Sequence, residues 1–163
     1  MAALAAKRYL GGLLAAVLVL SGVVAGVVFA QADRAQGADT AEAHTNGLAF
    51  VVHRTETTDV IADPEFPTDN VAADGRFVVV KLSVTNTSAD GQVFHSAFST
   101  LSDGAVQYRV DEAARHYVGD ADRVLAPGES IDAALVFDVP RGVDPQSIVL
   151  RERPSSPGVS IAL

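Results

Sequence analysis

Residues 76–86 read RFVVVKLSVTN. Val78, Val80, Leu82 and Val84 alternate with Val79, Lys81, Ser83 and Thr85. A side-chain period of two belongs to an extended strand with one apolar face and one mixed face. β-branched residues dominate the stretch and fit a pleated surface better than a helix. Asn86-Thr87-Ser88-Ala89-Asp90-Gly91 ends it as a turn, with Gly91 able to take positive φ. A strand of this kind must bury its apolar face against another layer, so the stretch points to packed sheets.

The same period recurs on both sides. Leu48, Phe50 and Val52 predict a first strand ending near Arg54. Val93 to Leu101, with Phe94 and Phe98, reads as a further strand. Asp103-Gly104 is a hairpin signal, and Val106, Tyr108 and Val110 alternate beyond it. Asp111 to Asp122 is irregular and fits a short helical turn or a loop. Ala126-Pro127-Gly128-Glu129 is a turn, followed by Ile131, Ala133, Leu135, Phe137 and Val139 at strict period two. Ile148 and Leu150, then Val159, Ile161 and Leu163, mark two last strands. Residues 47–163 therefore read as all-β, an immunoglobulin-like antiparallel β-sandwich of seven to eight strands. The Cys-Trp-Cys core of antibody domains is absent, so aliphatic and Phe packing would hold it.

An N-terminal hydrophobic helix is expected before this domain. Leu10 to Ala30 (LGGLLAAVLVLSGVVAGVVFA) contains no ionisable residue over 21 positions. At about 1.5 Å per residue, that length crosses one hydrocarbon layer. Lys7 and Arg8 before the run keep the N-terminus in the cytoplasm and send the rest across. Residues 1–30 are thus a transmembrane anchor or a signal peptide. The length favours an anchor. Ala30-Gln31-Ala32 offers signal peptidase an A-x-A site, with cleavage after Ala32, and Val28-Phe29-Ala30 offers a second. Gly22 and Gly26 have the GxxxG spacing of packed helices, which a Gly- and Ala-rich run also produces by composition. Residues 31–46 (QADRAQGADTAEAHTN) read as a flexible linker. The domain is expected outside the cytoplasm, on a single-pass anchor or secreted.

Composition narrows the function. There are no cysteines, which excludes disulfides, thiolate metal sites, a Cys nucleophile and a lipid-modified cysteine. Without Lys7 and Arg8 the exported part holds 10 basic and 20 acidic residues, a formal net charge of −10. Nucleic acid and anionic membrane surfaces are poor partners for such a charge.

Thr55 to Asp74 lacks periodicity, contains Pro64 and Pro67, and reads as a long loop of the kind that often carries function. Its carboxylates Asp59, Asp63, Glu65 and Asp69, flanked by Glu56 and Asp74, are the candidate oxygen ligands for a metal, calcium by preference. The EF-hand core D-x-[DN]-x-[DN]-G is missing. The plainer role for these charges is to keep an edge strand from pairing with other chains. A second acidic set, Asp111, Glu112, Asp120 and Asp122, flanks Arg115, His116 and Arg123 and suits local ion pairs. His44, His53, His95 and His116 share no ligand spacing. No G-x-S-x-G elbow is present, and Ser130 in its turn suits backbone hydrogen bonding. Asn86-Thr87-Ser88 matches a glycosylation sequon that a turn explains equally. Phe77 lies on the face opposite Val78, either covered by the long loop or left as an apolar patch for a partner.

Gly75 to Asn86 (GRFVVVKLSVTN), Phe98-x-x-Leu101-x-Asp103-Gly104, Tyr108, Leu125-Ala126-Pro127-Gly128-Glu129-Ser130 and Leu135 to Pro140 (LVFDVP) occur in one order. In these residues the chain resembles a widespread bacterial domain of unknown function found in exported proteins, often lipoproteins. The same fold group includes the immunoprotective extracellular antigen of mycobacteria. The resemblance covers roughly residues 47–163, implies an immunoglobulin-like sandwich outside the cytoplasm, and brings no catalytic residues with it. The chain departs from lipoprotein members in lacking the acylated cysteine.

The expectation is a non-catalytic binding module of the cell envelope, with no catalytic residues and no resident cofactor. Its partners would be the membrane, through the N-terminal helix, and an unidentified envelope or secreted protein. The alternative is a cation- or small-ligand-binding sensor that uses the acidic loop.

Overall fold

The computed structural model describes residues 41–63, 65–66, 68–118 and 122–163. The hydrophobic leader and most of the expected linker lie outside these. Among the described residues no helix is long and apolar enough to cross a membrane.

The described residues form ten strands: β1 (Ala41–His44), β2 (Leu48–Ala62), β3 (Asn70–Asn86), β4 (Gln92–Phe94), β5 (Thr100–Ser102), β6 (Gln107–Arg109), β7 (Arg123–Leu125), β8 (Ser130–Val139), β9 (Ser147–Leu150) and β10 (Val159–Ala162). Two four-stranded antiparallel sheets result, β1-β2-β3-β8 and β10-β9-β5-β6, and β4 pairs with β7 as a separate ribbon. Short 3-10 segments at Ser96–Phe98 and Ala114–Val118 are the helical elements among these residues.

The core follows the period-two reading. Val78, Val80, Leu82 and Val84 of β3 are buried with Leu48, Phe50 and Val52 of β2 and Ala133, Leu135, Phe137 and Val139 of β8. Leu101, Ile148, Leu150 and Ile161 meet them from the second sheet, and Phe94 and Leu125 from the small ribbon. Each buried Val, Leu or Phe contributes about 1.5–3 kcal/mol. The Asp103-Gly104 hairpin forms between β5 and β6, with Gly104 at φ 91°. The Asp103 carboxylate accepts from the Ala105 and Val106 amides. Those bonds, with one from the Tyr108 hydroxyl, hold its pKa below the ordinary value.

The strand count and three segments differ from expectation. Ala41–His44, read as linker, is strand β1, paired with Ala49–Val52. Its inward residues Ala41 and Ala43 pack against the core, but alanine carries too little apolar signal to show a period. Val93 to Leu101 is two strands split by the Ser96–Phe98 segment rather than one. The Thr55–Asp74 loop is mostly strand: β2 runs on to Ala62 and β3 begins at Asn70. Residues 53–60 of β2 are all exposed, so the β-branched threonines extend the strand with no apolar alternation to reveal it.

Candidate functional site

The long β2–β3 ribbon shapes the surface. β1 leaves β2 at Val52, and β8 leaves β3 at Arg76. Beyond that point the register slips between Thr58↔Phe77 and Val60↔Ala72, a bulge that bends the ribbon. Asp138 fastens it, its carboxylate accepting from the Asp74 amide at 2.7 Å and the Gly75 amide at 3.1 Å. A Cβ on Gly75 would stand 2.0 Å from the Val139 carbonyl oxygen, so the bulge admits only glycine. The ribbon's Ile61, Val71 and Ala73 thereby join Phe77, Val79, Val136 and Ala114 in a second, smaller apolar cluster. Phe77 is buried there, on the side of the first sheet that faces away from the main core.

The four metal candidates are spread along this ribbon, three of them with separate partners. Asp59 pairs with Arg141 at 3.2 Å. Asp63 accepts from the Glu65 and Phe66 amides at 2.7 and 3.0 Å and so closes its own turn. Asp69 accepts from the Tyr117 hydroxyl at 3.1 Å, which raises the Tyr117 pKa. Glu65 is exposed. Among the described residues no group of three or more His, Cys, Asp or Glu side chains is arranged to hold a metal. Beside these acids Phe66 is 64% exposed.

The lower part of the same sheet face is open and polar. His53 Nε2 lies 2.6 Å from Ser83 Oγ, which donates to Asp132 at 2.7 Å. One hydroxyl has one proton, and it goes to Asp132, so His53 Nε2 must carry hydrogen and donate. This is a Ser, His and Asp set in the wrong order for nucleophile activation, which needs the imidazole between the other two. Next to it Glu56 accepts from Arg54 at 2.5 Å and Lys81 at 3.3 Å. Partial burial raises the Glu56 pKa, and the two cations outweigh that and hold it below its ordinary value. His53, Arg54, Lys81, Val118, Asp132 and Ala134 line a groove of about 370 Å³.

The second acidic set has a clear centre. Asp122 accepts from the Ser96 amide at 2.6 Å and the Ser96 hydroxyl at 2.7 Å, and pairs with Arg115 at 2.8 Å and His95 Nδ1 at 2.9 Å. Burial pushes its pKa up, but these bonds and charges bring it below the ordinary value. The His95 ring stacks on Phe98 at 4.7 Å. The cluster ties the Ser96–Phe98 turn to the segment before β7. The four histidines sit on separate elements.

Asn86, a turn residue by its sequence, is a structural knot. Asn86 is fully buried. Its Nδ2 donates to the Asp90 and Leu125 carbonyls at 2.8 and 2.9 Å. Its Oδ1 accepts from the Ser88 amide at 2.9 Å and the Ser88 hydroxyl at 2.8 Å. The sequon is therefore closed to glycosylation in the folded domain. Ser130 Oγ bonds Thr85 Oγ1 at 2.7 Å across β8 and β3.

With this geometry in hand, the matched family has a plain meaning. The family model described as a domain of unknown function, DUF4352, matches residues 41–159. The chain belongs to the DUF4352 family. That span begins at β1 and ends at the start of β10, so the DUF4352 unit is the sandwich with its ribbon. Solved structures with the same fold include a conserved hypothetical protein from Bacillus anthracis, at 19% identity and TM-score 0.52, covering 70% of this chain and 87% of that one. The yjhA protein of Bacillus subtilis is 12% identical with TM-score 0.50, covering 67% and 77%. A lipoprotein candidate from Bacillus subtilis, ycdA, is 17% identical with TM-score 0.54, covering 76% of this chain but 38% of that one. At these identities the likeness is one of fold. No curated protein matches the chain.

Proposed function

We propose that this DUF4352 protein is a non-catalytic binding module that works outside the cytoplasm, with an immunoglobulin-like sandwich related to the mycobacterial immunoprotective antigen. The observation that carries the reading is the ribbon. Residues 53–60 of β2 are exposed in one run, and the bulge, Asp59–Arg141 and Asp69–Tyr117 pin the ribbon at separate points. A braced hairpin with the exposed Phe66 is a pre-organised contact surface, which lowers the entropic cost of binding. The positive-inside leader supports an extracytoplasmic position, as does the lipoprotein description of ycdA. The hydrogen-bond order at His53, Ser83 and Asp132 supports a non-catalytic role.

Site-specific photo-crosslinking in cells tests this. A photoreactive residue in place of Phe66 is expected to give discrete adducts that one at Ser160, on the opposite sheet, does not. Equal adduct patterns from both positions, or none from Phe66, would overturn the reading.

A further inference from the structure

The geometry points to a second binding site: the groove on the outer face of β2, β3 and β8 takes a small ligand bearing a carboxylate or phosphate group. It shares His53, Arg54 and Glu56 with the base of the ribbon but not Phe66, so anion binding here and crosslinking at Phe66 can fail separately. At about 370 Å³ the groove is at the small end of ligand sites, enough for a body of about one sugar ring.

Its anion-binding wall is built from neighbouring strands. Arg54 and Lys81 are register partners, and both reach the single carboxylate of Glu56. One negative charge therefore holds two positive ones side by side on this wall, and Asp132 on the facing wall supplies the second negative charge. Arg54 engages Glu56 through Nε, which leaves the Nη nitrogens as donors in the fork that suits carboxylate and phosphate. In a chain of 20 acidic residues, Lys81 is the only lysine beyond Lys7. It stands in the middle of β3, at the wall of the groove.

The other wall is Asp132. It lies one diagonal step from Lys81 in the register, since Lys81 opposes Ala134 and Ser83 opposes Asp132, a separation of about 7–8 Å. One carboxylate oxygen of Asp132 takes the Ser83 proton, and the carboxylate keeps acceptor capacity for a ligand hydroxyl. Ala134 on the floor offers no bulk against a ligand body, and Val118 forms an apolar rim. The ligand that matches is an oxyanion on a hydroxyl-bearing body.

The test uses the full chain and two probes, glucuronate followed by saturation-transfer NMR and inorganic phosphate followed by phosphorus line width, with glucose as the neutral control. Expected are a signal for at least one anion and none for glucose. The paired substitution Arg54→Gln with Lys81→Met should weaken binding by roughly tenfold or more, with an unchanged melting curve to confirm folding. Arg123→Gln should leave binding intact. Asp132→Asn should weaken glucuronate and spare phosphate. No response to either anion, a response equal to that of glucose, or one that survives Arg54→Gln with Lys81→Met would overturn the site. The stronger anion identifies which group the natural ligand carries.

Discussion

Replacing Asn86 by Asp changes one NH2 group to oxygen and almost no volume, and it should nonetheless be among the most destabilising substitutions in the domain. The Asn86 side chain makes four hydrogen bonds, two given and two received, with no exposure to solvent. Net contributions of about 0.5–1.5 kcal/mol each give roughly 4 kcal/mol for Asn86→Ala. In Asn86→Asp the two accepted bonds survive. The new oxygen faces the Asp90 and Leu125 carbonyl oxygens at the former donor distances of 2.8 and 2.9 Å. It must either bury a charge against them or take up a proton, so the cost is again roughly 3–5 kcal/mol. Against a typical stability of about 5–15 kcal/mol, either loss shifts the unfolding midpoint plainly. Urea unfolding of the full chain by circular dichroism reads it. If Asn86 served only as a turn residue, Asp would do as well. A cost for Asn86→Asp below about 1 kcal/mol would therefore refute the buried-knot reasoning.

Other expectations follow from the same geometry. Gly75→Ala must move the Val139 carbonyl by more than 1 Å from the 2.0 Å approach and break the Asp138 clamp, costing roughly 3–5 kcal/mol; hydrogen exchange should rise at residues 71–75, and native exchange there would contradict it. The Asp122 pKa is lowered in the folded state, so its stabilisation is full above the unfolded value and is lost as pH falls through the folded one. Melting temperature should drop below about pH 4, and Asp122→Asn should lie well below the parent at neutral pH and converge with it in acid. A constant gap across that range would argue against the assignment. Asp59, Asp63 and Asp69 are each engaged elsewhere, so calcium after chelator should leave the melting temperature unchanged; a rise abolished by Asp63→Asn with Asp69→Asn would instead favour the cation-sensor alternative.

Most of the sandwich was legible because its core strands bury one face. Val78 to Val84 and Ile131 to Val139 alternate in sequence for the same reason that they pack in the core. The ribbon was not legible. With residues 53–60 exposed on both sides, nothing selects an alternation, and the acids Glu56 and Asp59 among them read as loop. The candidate surfaces were legible only in pieces. Asp59, Asp63, Glu65 and Asp69 could be named as an acidic group, but their partners Arg141 and Tyr117 lie far along the chain. Arg54, Lys81 and Asp132 gave no sequence signal as a set, because register alone places them together.

The amino-acid sequence alone determined the class of element, the main core face, the turn at Asp103-Gly104 and the absence of cysteine chemistry. These depend on local period and composition, which the chain carries wherever it folds. Only the tertiary structure decided that Ala41–His44 is a strand, that Asn86 is a buried knot, that Phe77 is covered by a bent ribbon, and which charges share the outer groove. The cover over Phe77, the outer groove and the Leu125 bond that buries Asn86 rest on pairings between residues distant in the chain, and a linear pattern holds no record of which distant neighbour a side chain will meet; β1 pairs with the nearby Ala49–Val52, but its alanines carry no period.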